Sequence, residues 1–135
     1  MINVLLKEIC IEDMEHNYIK MGITEEFYKH GACALEIKVD RLLIQDTLWM
    51  LYGELRSFLI QLEKMYETMK GTALLMESEG CLEACYTLDR RGYVYIDCTY
   101  RGSSNRKVEV HFELISTQPQ MAETIEAIRV TLNSK

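Results

Sequence analysis

The run CLEACYTLDRRGYVYIDCTYR, residues 81–101, holds two segments of alternating apolar and polar side chains around Asp89-Arg90-Arg91-Gly92. Alternation with a period of two marks a half-buried strand, and a short turn carrying Asp and Gly between two such segments marks an antiparallel hairpin. Successive side chains of a strand point to opposite sides. Leu82, Ala84, Tyr86 and Leu88 therefore share one face with Val94, Ile96, Cys98 and Tyr100, and that face is the predicted core. The opposite face collects Glu83, Cys85 and Thr87 with Tyr93, Tyr95, Asp97 and Thr99.

The pattern extends on both sides of this hairpin. Thr72 to Glu77 precedes it across Ser78-Glu79-Gly80, and Lys107 to Ile115 follows it across Gly102 to Arg106, so four strands in a row form an antiparallel meander. In the last of them Val108, Val110, Phe112 and Leu114 are predicted to point inward, and Lys107, Glu109, His111 and Glu113 outward. Upstream, Leu55, Phe58, Leu59, Leu62, Met65, Tyr66 and Met69 recur at spacings of three and four, which predicts a helix over Tyr52 to Lys70 with one apolar stripe. Gly71 stands where a left-handed residue is wanted just past a helix end. Downstream, Pro119 suits the first turn of a second helix that carries Met121, Ile125, Ile128 and Leu132 on one side.

The N-terminal part reads less regularly. Ile2 to Ile11 is apolar and β-branched enough for a strand, Ala32 to Val39 alternates, and Asp40-Arg41 reverses the chain into Leu42 to Trp49. Between them, Glu12 to Gly31 is expected to be irregular. The expected fold is α+β: an antiparallel sheet of N-terminal strands plus a C-terminal four-stranded meander, packed with a central and a C-terminal helix. Residues 1–135 are expected to form a single domain, with 48% hydrophobic residues, one proline and seven glycines offering enough apolar surface for a core and little sign of a linker.

Charge and composition narrow the function. A net charge of -6 disfavours direct nucleic-acid binding, which needs a surplus of Lys and Arg, and suits a basic partner. Five cysteines without CxxC spacing indicate neither a disulfide framework nor a zinc ribbon and fit a reducing, cytoplasmic setting. No signal-peptide pattern opens the chain, and no apolar run reaches the ~18 residues that a membrane helix requires, so no membrane partner is expected.

Catalytic machinery is not evident. Dinucleotide, phosphate-loop, zincin and nucleophile-elbow motifs are missing, and His16, His30 and His111 are scattered. Cys81 and Cys85 are expected on one face of their strand with Cys98 on the opposite face of the next, which breaks up a three-thiolate site and leaves packing as the better role. The eight methionines read as core filler. Asp97 with Glu109 or Glu113 could be drawn as an acid/base pair, but no cleft is indicated around them. The chain is therefore expected to be no enzyme and to use no metal or cofactor.

One surface remains. Glu83, Tyr93, Tyr95, Asp97, Glu109, His111 and Glu113 share the outward face of the meander, mixing carboxylates that steer a basic partner with tyrosines that supply contact area. A merely solvated antiparallel face is also polar, and tyrosine is a good strand former, so the two readings carry equal weight here.

Three stretches carry a family resemblance. ELRSFLIQLEKMYETMKGTALL, Glu54 to Leu75, resembles the helix, glycine and strand segment of the WapI-like immunity proteins, bacterial antitoxins of polymorphic toxin systems. LDRRGYVYIDCTYR, Leu88 to Arg101, is similar to that family's strand pair, and VEVHFELISTQPQMAETIEAIRVTL, Val108 to Leu132, to its last strand and C-terminal helix. The resemblance covers roughly the C-terminal two thirds, and its motifs are structural rather than catalytic. It implies a cytoplasmic protein that neutralises a cognate toxin, often a nuclease delivered by contact-dependent or secreted systems, by direct binding. The competing expectation is a small-ligand or regulatory α+β domain whose pocket is lined by Trp49, Tyr52 and Tyr86.

Overall fold

A computed structural model describes residues 4–102 and 108–134. Ile2 and Asn3 of the expected first strand, Lys107 of the last, and residues 103–106 of the turn before it lie outside the described residues. The chain forms β1 (Lys7–Glu12), β2 (Tyr18–Ile23), α1 (Glu25–His30), β3 (Ala32–Val39), β4 (Leu42–Trp49), α2 (Tyr52–Thr68), β5 (Thr72–Met76), β6 (Leu82–Leu88), β7 (Val94–Arg101), β8 (Glu109–Ser116) and α3 (Gln118–Asn133). The strands build two four-stranded antiparallel sheets, ordered β1-β2-β3-β4 and β5-β6-β7-β8. Each is a meander, because each strand pairs with its sequence neighbour, and the α+β class follows.

Alternation decides which face of each strand is buried. In the N-terminal sheet Ile9, Ile11, Ile19, Met21, Ile23, Leu35, Ile37 and Leu48 face inward, each no more than 2% exposed. In the C-terminal sheet Ala73, Leu75, Leu82, Ala84, Tyr86, Val94, Ile96, Cys98 and Leu114 do the same. Both sets join the apolar stripes of α2 (Leu55, Phe58, Leu59, Leu62, Met65) and α3 (Met121, Ile125, Ile128, Leu132) in one hydrophobic cluster. Each fully buried Leu, Ile, Val, Phe or Met among them favours the folded state by about 1.5–3 kcal/mol before conformational entropy is counted.

The helix ends follow from local chemistry. Glu54 reaches back to accept the Leu51 N–H at 2.9 Å, satisfying one donor at the start of α2. At the other end Met69 takes the left-handed conformation (φ 56°) and donates its N–H to Met65 O, so the helix stops at Thr68 rather than at Lys70. Gly71 is also left-handed (φ 94°) but belongs to the turn into β5. Thr117 caps α3, its hydroxyl accepting from Gln120 N and its own N–H donating to Gln120 Oε1.

The segment from Glu12 to Gly31 is not irregular. It contains the end of β1, all of β2 and the six-residue helix α1. The turn between β1 and β2 is held by Asp13, whose Oδ1 accepts from the N–H groups of Glu15 and Asn17 at 2.8 and 2.9 Å. Helix α1 is capped by the Thr24 hydroxyl and stopped by Gly31 at φ 81°. Two further expectations are corrected. Val108 is 56% exposed, because β8 begins at Glu109, and only Val110, Phe112 and Leu114 reach the core. Cys81 is buried beside the core, not on the face of Cys85, because it lies in the tight turn before β6 where the pleat has not begun.

That turn is tied to the other sheet by a buried carboxylate. Glu77 is 1% exposed and accepts three backbone N–H groups: Glu79 and Cys81 on Oε1 at 2.8 and 2.9 Å, and Trp49 on Oε2 at 2.9 Å. The end of β4 is thereby joined to the end of β5. A second link runs from the Tyr100 hydroxyl of β7 to Asp46 of β4 at 2.5 Å.

Candidate functional site: the outward face of the C-terminal sheet

Register assembles the outward side chains of β5 to β8 into rows. Leu74, Cys85, Asp97 and Glu113 form one row, Met76, Glu83, Thr99 and His111 the next, and Arg101 stands opposite Glu109 at the end. On the other side lies Thr72, Thr87, Tyr95 and Ile115. Tyr93 precedes β7 with the same parity, is 37% exposed, and has the Arg91 guanidinium 5.5 Å from its ring centre. All seven sequence-predicted residues thus fall on one surface.

Arg101 organises one end of this surface, and the sequence reading does not single it out. Its Nε donates to Glu109 Oε1 at 2.9 Å and its Nη1 to Glu83 Oε1 at 3.1 Å, so one cation bridges β6, β7 and β8. Its parity with Tyr95, Asp97 and Thr99 is the signal that places it there. Hydrogen bonds from Arg101 and then His111 hold Glu109 below its ordinary pKa. Next to them, His111 Nδ1 lies 3.0 Å from Thr99 Oγ1 and its Nε2 3.2 Å from Glu109 Oε2.

The middle of the face is different. Asp97 and Glu113 stand directly opposite one another on neighbouring strands and make no ion pair among the described residues. Like charges directly across a strand pair are destabilising. Apolar side chains missed by the sequence reading share the face: Ile115, 38% exposed, two residues on from Glu113, and Leu74 and Met76 of β5, 38% and 47% exposed, beyond Cys85 and Glu83. Leu74 and Met76 belong to a five-residue strand read only as part of the meander, yet their alternation with the fully buried Ala73 and Leu75 carries the signal.

Asp89 shapes the turn beneath Tyr93 and Tyr95. Its Oδ1 accepts from Arg91 N and Tyr93 N at 2.8 and 3.0 Å, and its Oδ2 from the Tyr95 hydroxyl at 3.1 Å. Loss of water alone would raise the Asp89 pKa; these donors outweigh it and hold the carboxyl below its ordinary value.

The other sequence candidates do not meet in one place. Cys98 and Cys33 are buried, and burial pushes the Cys33 thiol up to about 12 and Cys98 higher still, so neither supplies a thiolate near neutrality. Among the described residues no group of three or more His, Cys, Asp and Glu side chains is placed to hold a metal ion. Tyr86 is 1% exposed and packs edge-on against Phe58 with ring centres 5.6 Å apart, so it lines no accessible pocket with Trp49 and Tyr52. The Tyr52 hydroxyl donates to Leu132 O at 2.7 Å. No helix of the described residues is long and apolar enough to cross a membrane.

The fold is α+β with two meanders, and the outward face of its C-terminal sheet carries Glu83, Asp97, Glu109 and Glu113. The sequence profile of the WapI-like immunity protein family matches residues 8–134, and the chain belongs to that family. The match takes in the N-terminal sheet as well as the stretches that first suggested it. Comparisons with curated proteins and with solved structures return no significant match.

Proposed function

We propose that this immunity-family protein is an antitoxin of a bacterial polymorphic or contact-dependent toxin system, acting in the cytoplasm by binding a cognate toxin domain, without catalysis. The outward face of the C-terminal sheet is the proposed contact surface, with Glu83, Asp97, Glu109 and Glu113 steering a basic partner and Tyr93 and Tyr95 holding it. His111 and Arg101 orient the carboxylates at one end.

The observation that carries this reading is the Asp97–Glu113 pair. Two carboxylates set opposite each other with no cation between them among the described residues cost the free protein stability, and a Lys or Arg of a partner placed between them would remove that cost. A nuclease is the class of toxin that suits such a face, because a surface built to hold phosphates is basic. The test is co-expression with a cognate toxin domain. A stable complex that abolishes the toxin's activity is the expected result; free chain and fully active toxin at micromolar concentrations would refute the proposal.

A further inference from the structure

The two sheets have four edges, and three are guarded. At β1, Thr124 of α3 donates its hydroxyl to Cys10 O at 2.8 Å, laying the helix along the edge. At β5, Gln61 of α2 acts as a surrogate strand: its Oε1 accepts from Leu74 N at 2.9 Å and its Nε2 donates to Leu74 O at 3.5 Å. At β8, Met14 N donates to Ile115 O at 3.1 Å, and the rest of the strand carries exposed Glu109, His111 and Glu113. Helices, loops and charged side chains are the ordinary means of keeping sheet edges from pairing.

Strand β4 has no such guard over its first half. Its even-numbered residues turn their backbone groups toward β3, as Met50 N does in donating to Gly31 O at 2.7 Å. Its odd-numbered residues turn theirs to the free edge, where Trp49 N is taken by Glu77 and Thr47 N by Asp46 Oδ1 at 2.7 Å. The backbone groups of Leu43 and Gln45 face the same way and meet no partner among the described residues. Two leucines stand exposed there: Leu42 is 43% exposed and Leu43 56%. The segment Leu42–Gln45 carries no charge.

We infer that the β4 edge pairs with the β4 edge of a second copy of this chain, antiparallel about a two-fold axis at Ile44. That register sets Leu43 of each copy opposite Gln45 of the other, and each such pair exchanges two backbone hydrogen bonds. It uses the unpartnered groups and leaves Trp49 and Thr47 N with their present acceptors. No like charges meet, since the segment is neutral, and a two-fold contact closes at the dimer instead of propagating. The occupant is another copy because the exposed edge is its own complement in hydrogen bonding, side-chain polarity and charge. One strand pair is smaller than a standard interface, so the dimer is weak and dilutes to monomer.

Sedimentation of the full chain across concentrations tests this. Wild type is expected to shift from monomer toward dimer below about 1 mM. Gln45→Lys and Leu43→Lys, which place a charge on the edge, should each weaken association at least tenfold while circular dichroism stays unchanged. Leu43→Pro removes only an N–H that faces the edge and should weaken it as well. Met76→Lys, on the other sheet, should leave the dimer intact. A wild-type chain monomeric at about 1 mM would overturn the inference. So would a dimer indifferent to all three β4 variants, or β4 variants that weaken only toxin binding.

Discussion

The N-terminal and C-terminal sheets share one plan, four antiparallel strands in sequence order, and treat their outward faces in opposite ways. On the N-terminal sheet Glu36 accepts from the Tyr18 hydroxyl at 2.6 Å and from Gln45 Nε2 at 3.0 Å, while Lys20 lies 4.3 Å from the Tyr18 ring centre. The hydrogen bond to Glu36 pushes Tyr18 up to about 12 and holds Glu36 below its ordinary value. The polar groups at the middle of that face satisfy one another. On the C-terminal sheet Arg101 neutralises one end, and among the described residues no cation pairs with Asp97 or Glu113, which stand opposite one another with the 38% exposed Ile115 alongside. Charges that have found partners within their own sheet offer a binding partner little, whereas a pair of like charges left opposite one another has free energy to gain by association.

The comparison rests on both sheets sharing one core, and removing shared packing is expected to have the largest effect. Leu62 on α2 is fully buried in the common cluster, so Leu62→Ala should cost about 2–5 kcal/mol through lost transfer energy and the cavity left behind. Chemical denaturation read on tyrosine and tryptophan signals together should show one transition shifted for the whole chain. Next comes the link between the sheets. Glu77→Ala strands the buried N–H of Cys81 and removes the acceptor of Trp49 N and Glu79 N, and should cost about 2–3 kcal/mol, with hydrogen exchange speeding up first at the ends of β4 and β5.

A smaller effect separates the sheets by pH. Because the Asp89 pKa is depressed in the folded chain, its hydrogen bonds contribute stability above the ordinary aspartate value of 3.8, and that contribution is lost as pH falls through the folded value. Asp89→Asn should therefore be less stable than wild type at pH 7 and close part of that gap near pH 3, as measured by denaturant midpoints. The smallest expected change is Tyr86→Phe. The Tyr86 hydroxyl is buried without a partner among the described residues, so removing it should leave stability unchanged or raise it by up to about 1 kcal/mol in a melt.

How much of this was legible in the sequence differs between the sheets for physical reasons. The C-terminal strands are seven or eight residues long around β6 and β7, alternate cleanly, and are separated by Asp and Gly turns, so their faces could be assigned from parity alone. Strand β2 alternates too, with Ile19, Met21 and Ile23 buried, but Gly22 lowers its strand character. That glycine lies where an added Cβ would stand 3.1 Å from Leu5 Cδ1 and 3.5 Å from the Ala34 Cβ, a tertiary reason that no local pattern displays. Helix α1 is too short for a period to register, although Thr24 and Gly31 mark its two ends. On the candidate surface the carboxylates and tyrosines were readable from parity. The bridging role of Arg101 was not, since it depends on Glu83 and Glu109 being brought to it from two neighbouring strands.

The central claim is that the C-terminal outward face, and not its N-terminal counterpart, meets the toxin. Association and dissociation rates with the cognate toxin domain, measured at several salt concentrations, test it most directly. Asp97→Lys combined with Glu113→Lys should slow association at least tenfold and flatten its salt dependence, and Tyr93→Ala should speed dissociation by the equivalent of about 1–3 kcal/mol. Glu36→Lys on the N-terminal sheet should leave both rates as in wild type. Folded Asp97 and Glu113 variants that bind at wild-type rates, or a Glu36 variant that binds more slowly than they do, would contradict the account.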